Sequence, residues 1–254
     1  MRINSLIAAL VLSSSLVIGC ATSDTDDTSD ADSNSTAAGK FDLWQSTDGW
    51  HFHLTAGNGA TLLTSEAYTS RTGAINGILS VENNGVDNAQ YQVVQGASGR
   101  YLLHLVAGNN EIISFSQLYS SKSNATRAVT SCVKAVTTYL DKAEANTTGA
   151  RAQVEVGATN QFRFNIFASN GQIILSSESY TTEAAAWNGA FAVQDAAATA
   201  TSFKLLTAAD GRFYFTLTAE NGQVVGISQM YTTQLGAQAG IKSVTSTLAK
   251  LDIL

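Results

Sequence analysis

The chain is 254 residues long, 44% hydrophobic, 13% charged and free of proline, a globular composition with room for one large domain or two smaller ones. Its formal net charge is -6, but Asp24, Asp26, Asp27, Asp30 and Asp32 supply five of the 20 acids and Arg2 and Lys40 two of the 14 bases, leaving 15 acids and 12 bases over residues 41–254. That nearly neutral remainder has no basic run or stripe of the kind a phosphate backbone requires, which argues against nucleic acid as a partner.

The first segment, MRINSLIAALVLSSSLVIGC, has one base, an apolar run and small residues before a cysteine. This is the layout of a secretory signal, and it is short for a membrane span. Val17-Ile18-Gly19-Cys20 resembles a bacterial lipobox, which implies a signal peptide over 1–19, cleavage before Cys20 and lipid on its sulfur. The competing reading is an ordinary signal peptide with Cys20 incidental. Acyl chains contribute about 0.8 kcal/mol per buried CH₂, so a multiply acylated cysteine anchors a protein without a spanning helix. Residue 22 is Thr and residue 21 Ala, so the aspartate that retains enterobacterial lipoproteins in the inner membrane is missing. The expected location is the bacterial cell envelope, with the outer membrane favoured. Residues 20–40 then form an acylated cysteine and an acidic tether of small polar residues that cannot bury a core. Extended, such a tether reaches about 70 Å. The N-x-S/T triplets at Asn34, Asn124 and Asn146 match a glycosylation pattern that a bacterial lipoprotein rarely uses.

Beyond the tether the chain repeats itself. NGATLLTSEAY, NNEIISFSQLY, NGQIILSSESY and NGQVVGISQMY end at Tyr68, Tyr119, Tyr180 and Tyr231, spaced by 51, 61 and 51 residues. Fixed-period self-similarity marks repeated structural units. Two tandem pairs follow, 41–145 and 150–254. Each motif is preceded by an alternating strand: Trp50, Phe52, Leu54 and Ala56; Tyr101, Leu103, Leu105 and Ala107; Phe162, Phe164, Ile166 and Ala168; Phe213, Phe215, Leu217 and Ala219. Asn58-Gly59, Asn170-Gly171 and Asn221-Gly222 accept the positive φ of a tight hairpin turn, with Asn109-Asn110 as a poorer version. A shorter first strand is marked by Phe41 and Leu43, Tyr91 and Val93, Val154 and Val156, and Phe203 and Leu205. After each tyrosine, Ser70, Ser121, Thr182 or Thr233 can cap a helix. The helices share a stripe: Ala74, Ala125, Ala186, Ala237; then Ile78, Val129, Ala190, Ile241; then Val81, Cys132, Val193, Val244. The predicted fold is α+β, tandem β-β-β-α repeats with helices on one face of an antiparallel sheet.

The motif, with Asn and Ser seven positions apart in all four copies and Asn76-Gly77 or Asn188-Gly189 inside the helix, resembles the YegP-like family, a domain of unknown function usually found as two tandem copies. The resemblance covers about 41–254 and implies one sheet per pair, built from units that exchange a strand. The second copy departs most, with Asn110 for Gly, Arg127 where others have Asn or Ala, and a longer helix running toward Asp141. No catalytic residue transfers with the resemblance.

Four copies provide an internal control, since a functional residue should differ from its structural equivalents. Ser131-Cys132-Val133-Lys134 fits S-x-x-K, but its equivalents are ordinary and no K-T-G accompanies it. Cys132, the only cysteine besides Cys20, is expected to be a buried small hydrophobe. His51, His53 and His104 share one sheet side and are the weak metal candidates, with a solvated strand face as the plainer reading. Tyr68, Tyr119, Tyr180 and Tyr231 are structural first and form a candidate binding face second. The reading that results is a non-enzymatic envelope lipoprotein that binds or scaffolds, with no cofactor. Its expected partners are the membrane through Cys20 and an envelope protein or a second copy. The alternative is a metal-binding or hydrolytic protein using the histidine face.

Overall fold

The computed structural model describes residues 38–254; the signal segment, Cys20 and the tether through Ala37 lie outside the described residues. The first repeat comprises β1 (Lys40–Gln45), β2 (Trp50–Thr55), β3 (Thr61–Ser65) and α1 (Arg71–Asn84). The second comprises β4 (Tyr91–Gln95), β5 (Tyr101–Val106), β6 (Ile112–Phe115) and α2 (Lys122–Ala145). The third comprises β7 (Arg151–Val156), β8 (Phe162–Phe167), β9 (Ile173–Ser176) and α3 (Glu183–Ala197), and the fourth β10 (Phe203–Thr207), β11 (Phe213–Thr218), β12 (Val224–Ile227) and α4 (Gln234–Leu248). They form two six-stranded antiparallel sheets, ordered β1-β2-β3-β6-β5-β4 and β10-β11-β12-β9-β8-β7. Within each pair the meanders meet edge to edge, Thr64 opposite Phe115 and Ile227 opposite Ser176. Contrary to the resemblance, no strand is exchanged: short hairpins keep each three-strand meander with its own unit.

The Asn-Gly hairpins are one residue longer than a two-residue turn. Gly59 N–H donates to Ala56 O and Ala56 N–H to Ala60 O, each at 2.8 Å, while Asn58 Oδ1 accepts from Ala60 N–H at 3.1 Å. Positive φ falls on Gly59 (84°), Gly171 (76°), Gly222 (83°) and Asn110 (66°) and not on the preceding asparagine. This is a type I turn closed by a left-handed residue. The register then shifts between Leu54 and Thr55, and at the three equivalent places. Leu62 and Leu63 both reach the core as a result.

The motif serine and tyrosine close each unit. Ser65 Oγ accepts the Phe52 N–H at 2.9 Å and donates to Glu66 O at 2.8 Å, taking the place of a ladder carbonyl. Ser116, Ser177 and Ser228 repeat the arrangement on Leu103, Phe164 and Phe215. The chain bulges there and returns, so that Tyr68 exchanges two backbone hydrogen bonds with Trp50, each 2.8 Å. Capping follows at once: Ser70, Ser121, Thr182 and Thr233 accept the N–H groups of Gly73, Asn124, Ala185 and Gly236.

The helical stripe packs on the sheet as its spacing predicts. Ala74, Ala125, Ala186 and Ala237 and the column Val81, Cys132, Val193, Val244 are fully buried. In three units the tyrosine ring stacks on the strand phenylalanine, at 6.1 Å for Phe52–Tyr68 and 6.2 Å for Phe164–Tyr180 and Phe215–Tyr231. The helix turn above them is glycine because nothing larger fits. A methyl at Gly77, Gly189 or Gly240 would overlap the tyrosine hydroxyl and sit 2.6, 2.9 or 3.0 Å from the phenylalanine ring. The second unit solves the same contact with the volumes redistributed, Leu103 on the strand and Ala128 on the helix.

One first strand sits two residues away from its expected register. Phe41, Tyr91 and Phe203 face Leu54, Leu105 and Leu217, and the residue facing Ile166 is Ala152. The true equivalents of Phe41 and Leu43 are therefore Ala152 and Val154. Val156, read as a core residue, is 63% exposed. Alanine carries too little apolar signal to compete with the two valines in the sequence pattern.

The two pairs meet through α1 and α3. Arg71, opening α1, reaches Asp195 near the end of α3 at 2.8 Å and lies over the Trp50 and Phe191 rings at 4.9 and 5.5 Å. The C-terminal tail adds a second tie. Gln194 Nε2 donates to Leu248 O and Leu251 O, Asp252 pairs with Lys40 at 3.5 Å, and Leu254 packs on the first core.

Gly77→Ala and Phe52→Leu should each destabilise the protein, by about 1–3 kcal/mol for the overpacked glycine site. Their combination, which recreates the second unit's contact, should cost at least about 1 kcal/mol less than the two effects added. A double-mutant cycle by urea denaturation measures this.

Candidate functional site

The four tyrosines do not assemble into a row. Tyr68 pairs with the start of β2 and Tyr119 with the start of β5, and in the order β2-β3-β6-β5 these starts lie at opposite ends of the sheet. Tyr180 and Tyr231 are related in the same way in the second sheet. Each ring instead closes its own unit. Burial, with Glu66 and Glu178 adding to it, pushes the Tyr68 and Tyr180 phenols above their ordinary range.

The histidines divide into a cluster and an outlier. Register places His53, Thr64, Phe115 and His104 in one row across four strands. Three interstrand steps separate His53 from His104 by about 14 Å, too far for a shared ion. His51 and His53 instead flank Trp44, at 5.5 and 4.9 Å between ring centroids. Their Nε2 atoms are hydrogen-bonded to Asp48 (2.9 Å) and Asp42 (3.0 Å). Burial alone would raise the Asp42 carboxyl, but Lys40 and His53 hold it below the usual carboxylate range. Among the described residues no group of three His, Cys, Asp or Glu side chains could hold a metal. Ser131 and Lys134 lie one turn apart on α2 with Lys134 exposed. Cys132 between them is buried, its thiol pushed up to about 12 by desolvation. Cys20 lies outside the described residues.

The feature that sequence reasoning missed is a cleft of about 980 Å³ between the two pairs. One wall comes from the first pair, with Glu82 on α1 and Tyr139 on the extension of α2; the other comes from the second, with β7, Glu183 and Trp187 on α3, and the C-terminal tail. α1 and α3 run antiparallel, since the Arg71–Asp195 ion pair joins the start of one to the end of the other. At the opposite end of that contact Glu82 therefore meets Glu183. Burial, then the Glu183 charge, pushes the Glu82 carboxyl up to about 7, while a hydrogen bond from the Tyr139 hydroxyl opposes the rise. Desolvation and the charges of Glu82 and Asp252 raise the Tyr139 phenol in turn.

The lining departs from the repeat at several places. Glu82 stands where the other units have Val133, Gln194 and Thr245, and Glu183 where they have Arg71, Lys122 and Gln234. The cleft also runs along β7 past Ala152, the one core-face position of a first strand that has lost its aromatic ring. Arg151 beside it is buried, and its Nε has no hydrogen-bond partner. A comparison of aligned copies could have flagged Glu82 and Ala152 as unlike their equivalents, but not that they share one space.

The family model described as Domain of unknown function (DUF1508) matches residues 46–92, 97–139, 158–203 and 208–253, one match in each repeat. A UPF0339 protein of Bordetella pertussis is 48% identical over 86 residues, covering 34% of this chain and 78% of that protein. UPF0339 protein YegP of Escherichia coli (strain K12) is 40% identical over 92 residues, 36% of this chain and 84% of that one. The solution NMR structure of yegP from E. coli, described as a protein of unknown function, is similar at a TM-score of 0.40 and 35% identity over 42% of this chain and 91% of that chain.

Because the Glu82 carboxyl titrates near 7 in the folded chain and near 4.5 when free, the folded chain holds more protons between those values. The Glu82 contribution to stability is therefore greatest below pH 4.5 and falls as pH rises toward 7, by about 3 kcal/mol. Glu82→Gln should flatten this decline in urea-denaturation profiles across that window.

Proposed function

The chain belongs to the DUF1508 family, carrying the YegP-like unit four times in tandem, and from that premise we propose that it is a lipid-anchored envelope protein whose folded part binds rather than catalyses. One observation carries the binding half. The residues that recur in every copy, the motif serine, the tyrosine and the helix cap, are engaged in closing the unit, whereas unrepeated residues gather in the cleft between the pairs. Evolution of a bound ligand's site at the junction of two domains is a common arrangement.

The anchoring half is supported by the lipobox-like Val17-Ile18-Gly19-Cys20 and the acidic segment after it. Among the described residues no helix is long and apolar enough to cross a membrane, so in this reading Cys20 supplies the attachment. The bound component is then another constituent of the envelope.

Cys20→Ala should move the protein from the membrane pellet to the soluble envelope fraction and abolish incorporation of labelled palmitate. A wild-type chain found soluble and unlabelled would remove the anchor from this reading.

A further inference from the structure

The cleft holds two electrostatic defects of opposite sign. The first is Arg151, only 9% exposed, at the start of the edge strand β7. Its guanidinium carbon lies 3.7 Å from the Phe167 ring centroid and Nη1 donates to Gly149 O at 3.3 Å. Its Nε is buried and unpartnered, and no carboxylate among the described residues pairs with it. Arginine cannot escape this cost by losing its proton. The repeat supplies a control, because Arg151 faces Phe167 as Lys40 faces Thr55. Lys40 is half exposed and bound to Asp42 at 3.0 Å and to Asp252 at 3.5 Å. The buried cation is thus the one without an anion.

The second defect is half-buried Glu82, which meets the exposed Glu183 across the α1–α3 contact; Tyr139 donates a hydrogen bond to Glu82, and no cation is paired to either carboxyl among the described residues. Ala150 and the first four residues of β7, 151–154, line the cleft consecutively. As a sheet edge it presents backbone donors and acceptors to an incoming extended chain. Trp187 adds an apolar wall.

We propose that this cleft binds a short peptide with free termini, laid along β7, its carboxylate held by Arg151 and its ammonium group by Glu183 and Glu82. A ligand carrying both charges neutralises both defects, whereas a simple anion or a simple amine relieves only one. Arg151 suits the carboxylate because its planar fork matches two oxygens at once. The volume of about 980 Å³ exceeds what a single amino acid fills and accommodates several residues. The proposal rests on the binding half of the function above and is independent of the lipid anchor.

The test is a titration of the purified full chain with trialanine, its C-terminal amide and its N-acetyl form, read by tryptophan emission, with a Trp187→Phe chain as the control, and by thermal shift. Trialanine should bind at about 1 mM or tighter. Each blocked form should bind at least tenfold more weakly. Arg151→Met keeps the packing on Phe167, so the ligand-free variant should melt at a higher temperature than wild type. It should also lose the discrimination between acid and amide. Glu82→Gln with Glu183→Gln should lose discrimination at the amino end alone. Equal binding of the three peptides, no response to any of them, a response to inorganic phosphate as strong as to trialanine, or unchanged binding by Arg151→Met would each overturn the proposal. A chain that fractionates with membranes yet ignores trialanine sinks this inference and leaves the anchor standing.

Discussion

A serine hydroxyl standing in for a backbone carbonyl is the constraint on which the rest of each unit depends. Ser65 Oγ accepts the Phe52 N–H that the strand ladder would otherwise pair with a carbonyl, and donates its own hydroxyl hydrogen bond to Glu66 O. That exchange satisfies a buried donor while letting the strand end, and a buried donor left alone would cost about 1–3 kcal/mol. The bulge it creates carries Tyr68 back to Trp50, and the tyrosine sets both the ring stack over Phe52 and the place where Ser70 opens the helix. Strand, clip and helix are therefore a single geometric object, and the serine and tyrosine recur because removing either would disconnect the helix from its sheet.

The second lesson concerns how repeated units become a pair. The four copies carry Leu63, Ser114, Leu175 and Gly226 at one position two residues before the motif serine. These positions face the core close to the junction of the two meanders. In the second sheet Leu175 fills the space over Gly226, where an added methyl would sit 2.5 Å from Leu175 Cδ2. In the first sheet the small partner is Ser114, fully buried with its hydroxyl unpartnered. A leucine from one unit and a small residue from the other share one volume, as Phe52 with Gly77 and Leu103 with Ala128 share theirs. Close packing permits such trades only when the total is conserved. Each sheet is thus built from two unlike halves, which favours pairing within a chain over pairing of identical copies.

Divergence has been spent where the pairs meet. Two of the three sheet-facing columns hold alanine or a valine-sized residue in every copy, and a smaller residue in the valine column would open a cavity. The α1–α3 contact and the edge of β7 are under no such restriction, because a ligand-sized space already separates them. Here the chain tolerates a buried guanidinium with no carboxylate partner, a feature a purely structural interface would be expected to lose.

The repeats, their strand-strand-strand-helix order, the caps and the buried stripe with Cys132 in it were all determined by the sequence alone. They are local or periodic properties: an Asn-Gly turn, an alternating strand and a three-four spacing act over a few residues, and four copies average out the noise. What the tertiary structure decided depends on partners far apart in the chain. Strand order set two strands between His53 and His104, so that residues with matching positions in their own units are not neighbours. Register on β8 moved the β7 core position to Ala152, which no pattern of large apolar residues could mark. The antiparallel crossing of α1 and α3 brought Glu82 to Glu183 and opened the cleft beside Arg151, because packing of one repeat pair on the other is governed by surface shape and charge, and neither leaves a periodic signature along the chain.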